Sequence, residues 1–406
     1  MNTINQNKVS KKSAFRFHAW IGYKLCIFMI IICATGTLAT VSRELDWLVN
    51  PMLRVDPLDR PIAWGEMIKN YQESYPEGDL SYIEAPLYRN FASVGLMINK
   101  DQLMRRVFFN PYTGEVLGDL PWYASIQRFL RDLHRFLLIP FGIGLYIVSS
   151  FGFVLIASLI TGLVVYKKWW MGWFRLRVNR NRRIFFGDLH RLAGVWSIWF
   201  LMIIGATGAW YFVERAGNDL NDAFIYPGPK IDVDPKTIEK SPIISVDNAI
   251  ATAKSKISDL DIKMIMLPRI TKETVSPYRI EGQVNTLLVR NRANQVLVHP
   301  FKAEAIDVSD SRTSSLSKRL FESVDPLHFG DFGGLLSKLI YFSFGALTVV
   351  MSVSGLWMWQ RRNKALEEKG LAYQSMGPIK YISLGIVTGS IIVGSIAIYV
   401  VTFQGI

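Results

Sequence analysis

Cysteine, acidic residues and charge of either sign are all scarce in this 406-residue chain. The two cysteines, Cys26 and Cys33, fall in one apolar run. Seven residues separate them, about 10 Å along a helix, so they cannot pair within it and read as small apolar filler. No disulfide framework can therefore hold the rest of the chain together. Charged residues make up only 19% of the sequence, while half is apolar. The apolar residues come in long blocks and not in a 3.6 or 2 rhythm, which excludes an ordinary soluble domain and indicates lipid-facing helices. The sequence also lacks a G-x-G-x-x-G turn and a phosphate-binding loop, so it carries no nicotinamide or flavin domain of its own.

What is present begins with five apolar blocks, at about 20–41, 141–166, 190–213, 336–359 and 379–403. Each exceeds the roughly 20 residues needed to cross a hydrocarbon core of about 30 Å. The expected fold is a mainly α membrane protein: four repeated transmembrane helices, a fifth without a partner, and two small α+β modules outside. The first block has the charged start of a signal peptide, but it is too long and has a twin in mid-chain, so it is expected to remain.

Basic residues outnumber acids enough to give a net charge of +13, and their placement is informative. Residues 1–18 hold Lys8, Lys11, Lys12 and Arg16 with no acid. Residues 166–190 hold seven basic residues against Asp188, and residues 361–380 hold five against Glu367 and Glu368. These three segments account for the whole net charge and abut helix ends, as the positive-inside rule requires. Nucleic acid is therefore not the expected partner; membrane lipid is. The predicted order is a cytoplasmic start and first helix (1–41), outer module 42–138, second helix 139–166 and basic cytoplasmic loop 167–189. There follow the third helix 190–213, outer module 214–335, fourth helix 336–359, loop 360–378 and fifth helix 379–406, with an outer carboxyl terminus.

In the first module Trp64, Met67, Ile68 and Tyr71 mark one face of a helix, and Asn110-Pro111-Tyr112-Thr113-Gly114 is turn chemistry between two strands. In the second, Ala249, Ile250, Ala253 and Ile257 mark a helix, and VNTLLVRNRANQVLVHP predicts a hairpin around Asn291 to Asn294. Modules of this size bury modest cores and are expected to pack on each other or on the membrane helices.

The chain repeats itself. His18, Gly22 and Ala34-Thr35-Gly36 recur as His190, Gly194 and Ala206-Thr207-Gly208 at a spacing of 172. Ser150-Phe151-Gly152 and Gly162-Leu163 recur as Ser343-Phe344-Gly345 and Gly355-Leu356 at 193, and Leu133-His134 as Leu327-His328 at 194. Four of the five histidines thus stand at the approach to a repeated helix, His18 and His190 on the cytoplasmic side, His134 and His328 on the outer side. His299, beside Pro300, reads as an ordinary surface residue.

A single histidine at a membrane interface is unremarkable, since water or headgroups satisfy it. Two per face, from equivalent positions of two halves, are what a bis-imidazole haem site requires. A bare zinc or iron site wants three or four ligands. Without a C-x-x-C-H element, such a haem would be held non-covalently. Gly22 and Gly194, one turn beyond their histidines, either let a flat macrocycle approach or serve close helix packing. Arg16 and Arg191 inside, and Arg128, Arg131 and Arg135 outside, are candidate propionate partners. Arg191 and Arg135 also serve as interfacial anchors in a simpler reading, and Lys24 as a snorkelling lysine. From His134 to Gly162 is 28 residues. That is about 42 Å of continuous helix, so the two sites would lie far apart unless the chain bends near Pro140.

The doubled Leu-His-Arg and Thr-Gly helices, around an outer module ending in NPYTGEVLG, resemble the PepSY-associated transmembrane family over about residues 12–362. Within it the likeness is to inner-membrane ferric-siderophore (ferrioxamine) reductases. The resemblance implies PepSY-like periplasmic modules, a bacterial inner membrane and two b-type haems, ligated by His18, His190, His134 and His328. It implies reduction of a ferric siderophore in the periplasm during iron uptake. Its pattern is departed from where Ala19 follows His18 and Phe329 follows His328, and the fifth helix stands outside the repeat. The electron donor would be a soluble reductase, reduced flavin or a membrane quinol. The alternative from a different class is a haem-free membrane regulator whose outer modules bind a peptide or protease.

Overall fold

The computed structural model describes residues 2–370 apart from 172, 222–230, 233–241 and 272–273, with scattered positions between 381 and 396. The fifth helix expected over 379–406 lies for the most part outside the described residues. The chain is mainly helical, with an eight-stranded antiparallel sheet and a short two-stranded one at Ile231–Asp232 and Thr274–Val275, and it divides into two units. Unit 1 is Met1–Ser42, Phe129–Phe224 and Leu327–Ala397; unit 2 is Arg43–Arg128, Ile225–Pro326 and Ile398–Ile406.

Unit 1 contains α1 (Asn2–Lys24), α2 (Cys26–Thr40), α6 (Phe141–Val165), α7 (Arg182–Trp196), α8 (Ile198–Asn221) and α12 (Gly334–Glu367). Two helices, α6 and α12, are by themselves long and apolar enough to cross a membrane, with mean hydropathy 2.3 and 1.8. The count rises to four if each of two bent pairs is one span: Lys11–Lys24 with α2, bent by 67°, and α7 with α8, bent by 66°. The first and third apolar blocks are therefore not straight helices. They break at Leu25 and Ser197, the same separation as His18 and His190. In each case a glycine, Gly22 or Gly194, stands one turn earlier, where a missing side chain weakens the helix and favours a kink. The fourth helix also runs eight residues past its expected end at Trp359.

Small residues set the helix crossings. A methyl group added to Gly208 would lie 3.4 Å from Gly152 Cα, so α6 and α8 meet backbone to backbone. Gly345 of α12 meets the Thr37 side chain of α2. The repeated Ser-Phe-Gly element thus makes a close crossing in both halves, where lipid-embedded helices depend on van der Waals contact.

Unit 2 carries α4 (Trp64–Ser74), β1 (Asp79–Glu84), β2 (Ser93–Ile98), β3 (Met104–Phe109) and β4 (Val116–Pro121). Then come α9 (Val246–Lys256), β5 (Asp261–Met266), β6 (Tyr278–Gln283), β7 (Gln295–Val298) and β8 (Ala305–Ser309). The eight strands form one antiparallel sheet, ordered β8-β7-β6-β5-β1-β2-β3-β4. The two halves join through Tyr82, Ile83 and Glu84 of β1, opposite Met266, Ile265 and Met264 of β5. One core serves both, uniting Trp64, Met67 and Tyr71 of α4 with Ala249 and Ala253 of α9 and Ile83, Ile265 and Ile280 of the sheet. Sharing a core answers the size problem of each module alone.

The turn at Asn110–Gly114 forms as its chemistry dictates: Asn110 Oδ1 accepts from Tyr112 N at 3.0 Å, and Gly114 takes a φ of +75°. The second hairpin is a correction. β7 pairs with β6, which ends at Gln283, and not with the Val284–Arg290 stretch. That stretch is irregular because the Gln283 amide donates to Val289 O and Asn291 Oδ1, and Arg290 is held by Glu322 and Asp325.

In unit 2 the buried Asp46 carboxylate accepts from the amides of Ile126 and Gln127 at 2.7 and 3.3 Å, capping α5 (Ile126–Phe136). Burial pushes this carboxyl up from the usual range, against the pull of the Arg106 guanidinium 3.7 Å away. Asp46→Ala removes the cap and leaves a buried guanidinium without its counter-charge. It is expected to cost about 2–4 kcal/mol, read as a lowered midpoint in thermal unfolding of the detergent-solubilised protein.

Candidate functional site: two histidine couples in unit 1

The bend after His134 decides the geometry. Leu137 and Leu138 both take a left-handed φ of +56°, a conformation costly for leucine. Leu137 is wholly buried against Phe28, Ile32, Leu133 and Phe151, which offsets that cost. The chain turns here, just ahead of Pro140, so α5 lies against α2 instead of extending α6. In the other half α11 (Val324–Phe329) carries His328, and Gly330 supplies the left-handed residue at φ +69° with its Cα against the Tyr341 ring.

These turns bring the four histidines together as two couples. The rings of His18 and His190 have centroids 6.3 Å apart, and those of His134 and His328 6.1 Å. An iron with two axial imidazoles, metal–nitrogen bonds of about 2.0 Å and about 1.1 Å from each nitrogen to its ring centre, needs centroids about 6.2 Å apart. Both couples have the spacing for one metal between them.

Every ring is fixed through Nδ1. His18 Nδ1 meets Ser158 O at 3.0 Å and Thr161 Oγ1 at 3.2 Å. His134 Nδ1 meets Ile32 O at 2.9 Å, and His190 Nδ1 meets Met351 O at 2.8 Å. A carbonyl can only accept, so Nδ1 carries the proton in these three and the lone pair resides on Nε2. His328 Nδ1 is 2.8 Å from Thr207 Oγ1, whose own proton is donated to Ile203 O at 2.7 Å. The hydroxyl therefore accepts, and His328 has the same tautomer. Oriented Nδ1–H donors of this kind are the outer-shell support that ligating histidines ordinarily have.

Glycines seat the rings, though not the two singled out by the repeat. A methyl group on Gly36 would lie 2.7 Å from His134 Cε1, one on Gly355 3.0 Å from His190 Cε1, and one on Gly162 3.5 Å from His18 Cε1. The sequence signal was the hydroxyl–glycine pair Thr35-Gly36, Thr161-Gly162, Thr207-Gly208 and Ser354-Gly355 in each apolar helix. A methyl on Gly22 would meet nothing within 4 Å, and one on Gly194 only Met351 Sδ at 3.3 Å. Gly22 thus leaves open space beside its kink, and Gly194 is approached only by the flexible end of Met351.

The couples lie close in depth. Thr37, beside the Gly36 seat, packs at Gly345 of α12, while His190 packs at Met351 and Gly355 of the same helix. Six to ten residues of helix correspond to about 9–15 Å.

Of the expected propionate partners, Arg16 and Arg135 are exposed, with Arg135 over the Phe141 ring, and Arg131 is half-buried. Arg128, in unit 2, lies over the Trp122 ring. Arg191 is committed elsewhere: it reaches Asp188 Oδ1 at 2.7 Å and Arg175 O at 3.2 Å. Asp188, almost fully buried, also takes two bonds from the Arg177 guanidinium, at 2.8 and 2.9 Å, and one from its amide. This carboxylate fastens the basic loop to the helix of His190, a role the sequence reading missed. Asp188→Asn should weaken three charge-assisted bonds, costing about 1–3 kcal/mol, and speed tryptic cleavage within 175–183 several-fold. His299 lies in unit 2, where its Nδ1 accepts from Phe301 N.

An uncharacterized protein of Pseudomonas aeruginosa is 24% identical over 252 residues, which cover 58% of this chain and 64% of that protein. The match thus spans a little under two thirds of the relative's length. The family described as PepSY-associated TM region matches residues 15–362, most of the chain and all four paired histidines. With that coverage, this membrane protein belongs to the PepSY-associated TM family.

Proposed function

We propose that this chain is a di-haem reductase of the bacterial inner membrane that passes electrons outward to a ferric siderophore, releasing ferrous iron in the periplasm. The observation that carries this reading is the spacing of the two imidazole couples, 6.3 and 6.1 Å. Bound b-type haem would supply a one-electron carrier at each couple. Everything else falls to the chain. Ser158, Ile32, Met351 and Thr207 orient the four rings with the Nε2 lone pair available, and Gly36, Gly162 and Gly355 let the rings approach the helices.

In this reading the four repeated helices are the spans, the eight-stranded unit is a pair of PepSY-like modules on the periplasmic side, and the basic segments face the cytoplasm. His18 and His190 would hold the haem that accepts electrons from a cytoplasmic or quinol donor, and His134 and His328 the haem that would deliver them. Ferric iron in an oxygen-donor chelate is held by its high charge on hard ligands, so one electron loosens it. The test is a stopped-flow mixing experiment. Protein reduced by dithionite and freed of excess reductant is mixed with a ferric hydroxamate chelate under argon. Reoxidation of the haem bands, with ferrous iron captured by ferrozine in step, is the expected result; bands that stay reduced while the chelate stays ferric would overturn the reading.

A further inference from the structure

We infer that the segment around Lys167–Arg183 is a binding site for anionic phospholipid, held ready by the Asp188 clamp on the helix of His190. The segment begins two residues after Val165, where α6 ends, and has no acidic residue before Asp188. Its apolar side chains are turned outward: Phe174 is 84% exposed and Met171 70%, with Trp170 and Val178 also open. Between and beside them stand the exposed cations Lys167, Lys168, Arg175, Arg180, Arg182 and Arg183. A water-facing loop would gain nothing from that apolar surface, whereas a headgroup layer satisfies both kinds of side chain at once. An acidic soluble protein would match the charge and leave the indole and phenyl rings unexplained.

Two further observations support the assignment. The loop is already shaped without lipid, because its inner side is used up by α7: Arg177 binds Asp188, Trp196 Nε1 donates to Trp173 O at 2.7 Å, and Arg191 to Arg175 O. The clamp leaves the side chains of Arg175, Arg180, Arg182 and Arg183 outside it. A second cationic element, a shallow cleft of about 370 Å³, is lined by Lys11, Lys12, Phe15 and Val165. It joins basic groups of α1 to the same end of α6, again with an apolar wall for an acyl chain.

The test uses the full chain in nanodiscs of phosphatidylcholine alone or with about one third phosphatidylglycerol, followed by hydrogen–deuterium exchange. Segment 167–183 is expected to exchange about tenfold more slowly with phosphatidylglycerol, and R175Q/R180Q/R182Q/R183Q to lose most of that difference while Asp188 and Arg177 remain. Equal exchange of the wild-type segment in the two lipids would overturn the assignment, whatever the variant does. So would the same protection in phosphatidylcholine discs given inorganic phosphate, or given poly-glutamate as an acidic protein surrogate. No haem readout enters, so the result stands apart from the redox reading.

Discussion

Changing His134 or His328 to alanine is expected to remove about half of the bound haem and to abolish ferric-chelate reduction, while the haem at the other couple stays. An axial position with a water in place of imidazole loses one of two ligand bonds and the ring's oriented Nδ1 support. The two couples rest on different residues: His134 on Ile32 and His328 on Thr207, whereas His18 rests on Ser158 and His190 on Met351. Loss at one is therefore confined to that one. Haem per chain by the pyridine haemochrome method, with reduction followed on the same sample, reads both effects. Full retention of both haems after either change would refute the pairing, and so would loss of both from a folded variant.

Gly36→Leu should reproduce the His134 result with every ligand in place. Even a methyl group there would stand 2.7 Å from His134 Cε1, well inside van der Waals contact, and the bond of the ring to Ile32 O, one turn earlier on the same helix, holds it against that position. The imidazole must leave the line to His328, and about half of the haem goes with it. Gly142→Leu is the control, because the nearest atom to an added methyl there is Arg215 Nη2, in ordinary contact at 3.8 Å. Far-ultraviolet circular dichroism and gel filtration of both variants separate ring displacement from unfolding. If Gly36→Leu keeps two haems, the glycine seat has no part in holding the ring.

Much of this site was legible in the sequence, because repeated spacing is independent of how a helix bends. The four histidines, their division into two couples and the recurring Thr-Gly and Ser-Phe-Gly elements all follow from counting residues. Bends are another matter. Leu25 and Ser197 carry no proline, so an apolar run through them reads as one straight helix, and only Gly22 and Gly194 hint otherwise. Pro140 marks the neighbourhood of the next bend, but not its place at Leu137 and Leu138, because leucine rarely takes a left-handed conformation; burial of Leu137 among Phe28 and Phe151 makes it possible. Without that turn the two couples would lie tens of ångströms apart in depth, and with it they differ by about 9–15 Å of rise along α12.

Unit 2 shows the same division. The buried faces of α4 and α9 follow from periodicity, and the Asn110–Gly114 turn from its residues. The merger of two modules into one sheet rests on edge pairing of β1 with β5, whose partners are 180 to 184 residues apart and carry no local signal. Asp188 and Asp46 were missed for a related reason. Asp188 after a run of bases, and Asp46 beside Arg43 and Glu44, each read as a solvated charge, and only the fold reveals that the carboxylate is buried.

The central claim is that each histidine couple holds one iron through both of its rings. The most direct measurement is haem content together with low-temperature electron paramagnetic resonance of the oxidised, purified protein. Two haems per chain with low-spin, bis-imidazole signals that vanish on dithionite reduction as b-type absorption bands appear are the predicted result. A folded preparation that is colourless and takes up no added haem, or one whose haem is high-spin with a single axial ligand, would contradict it.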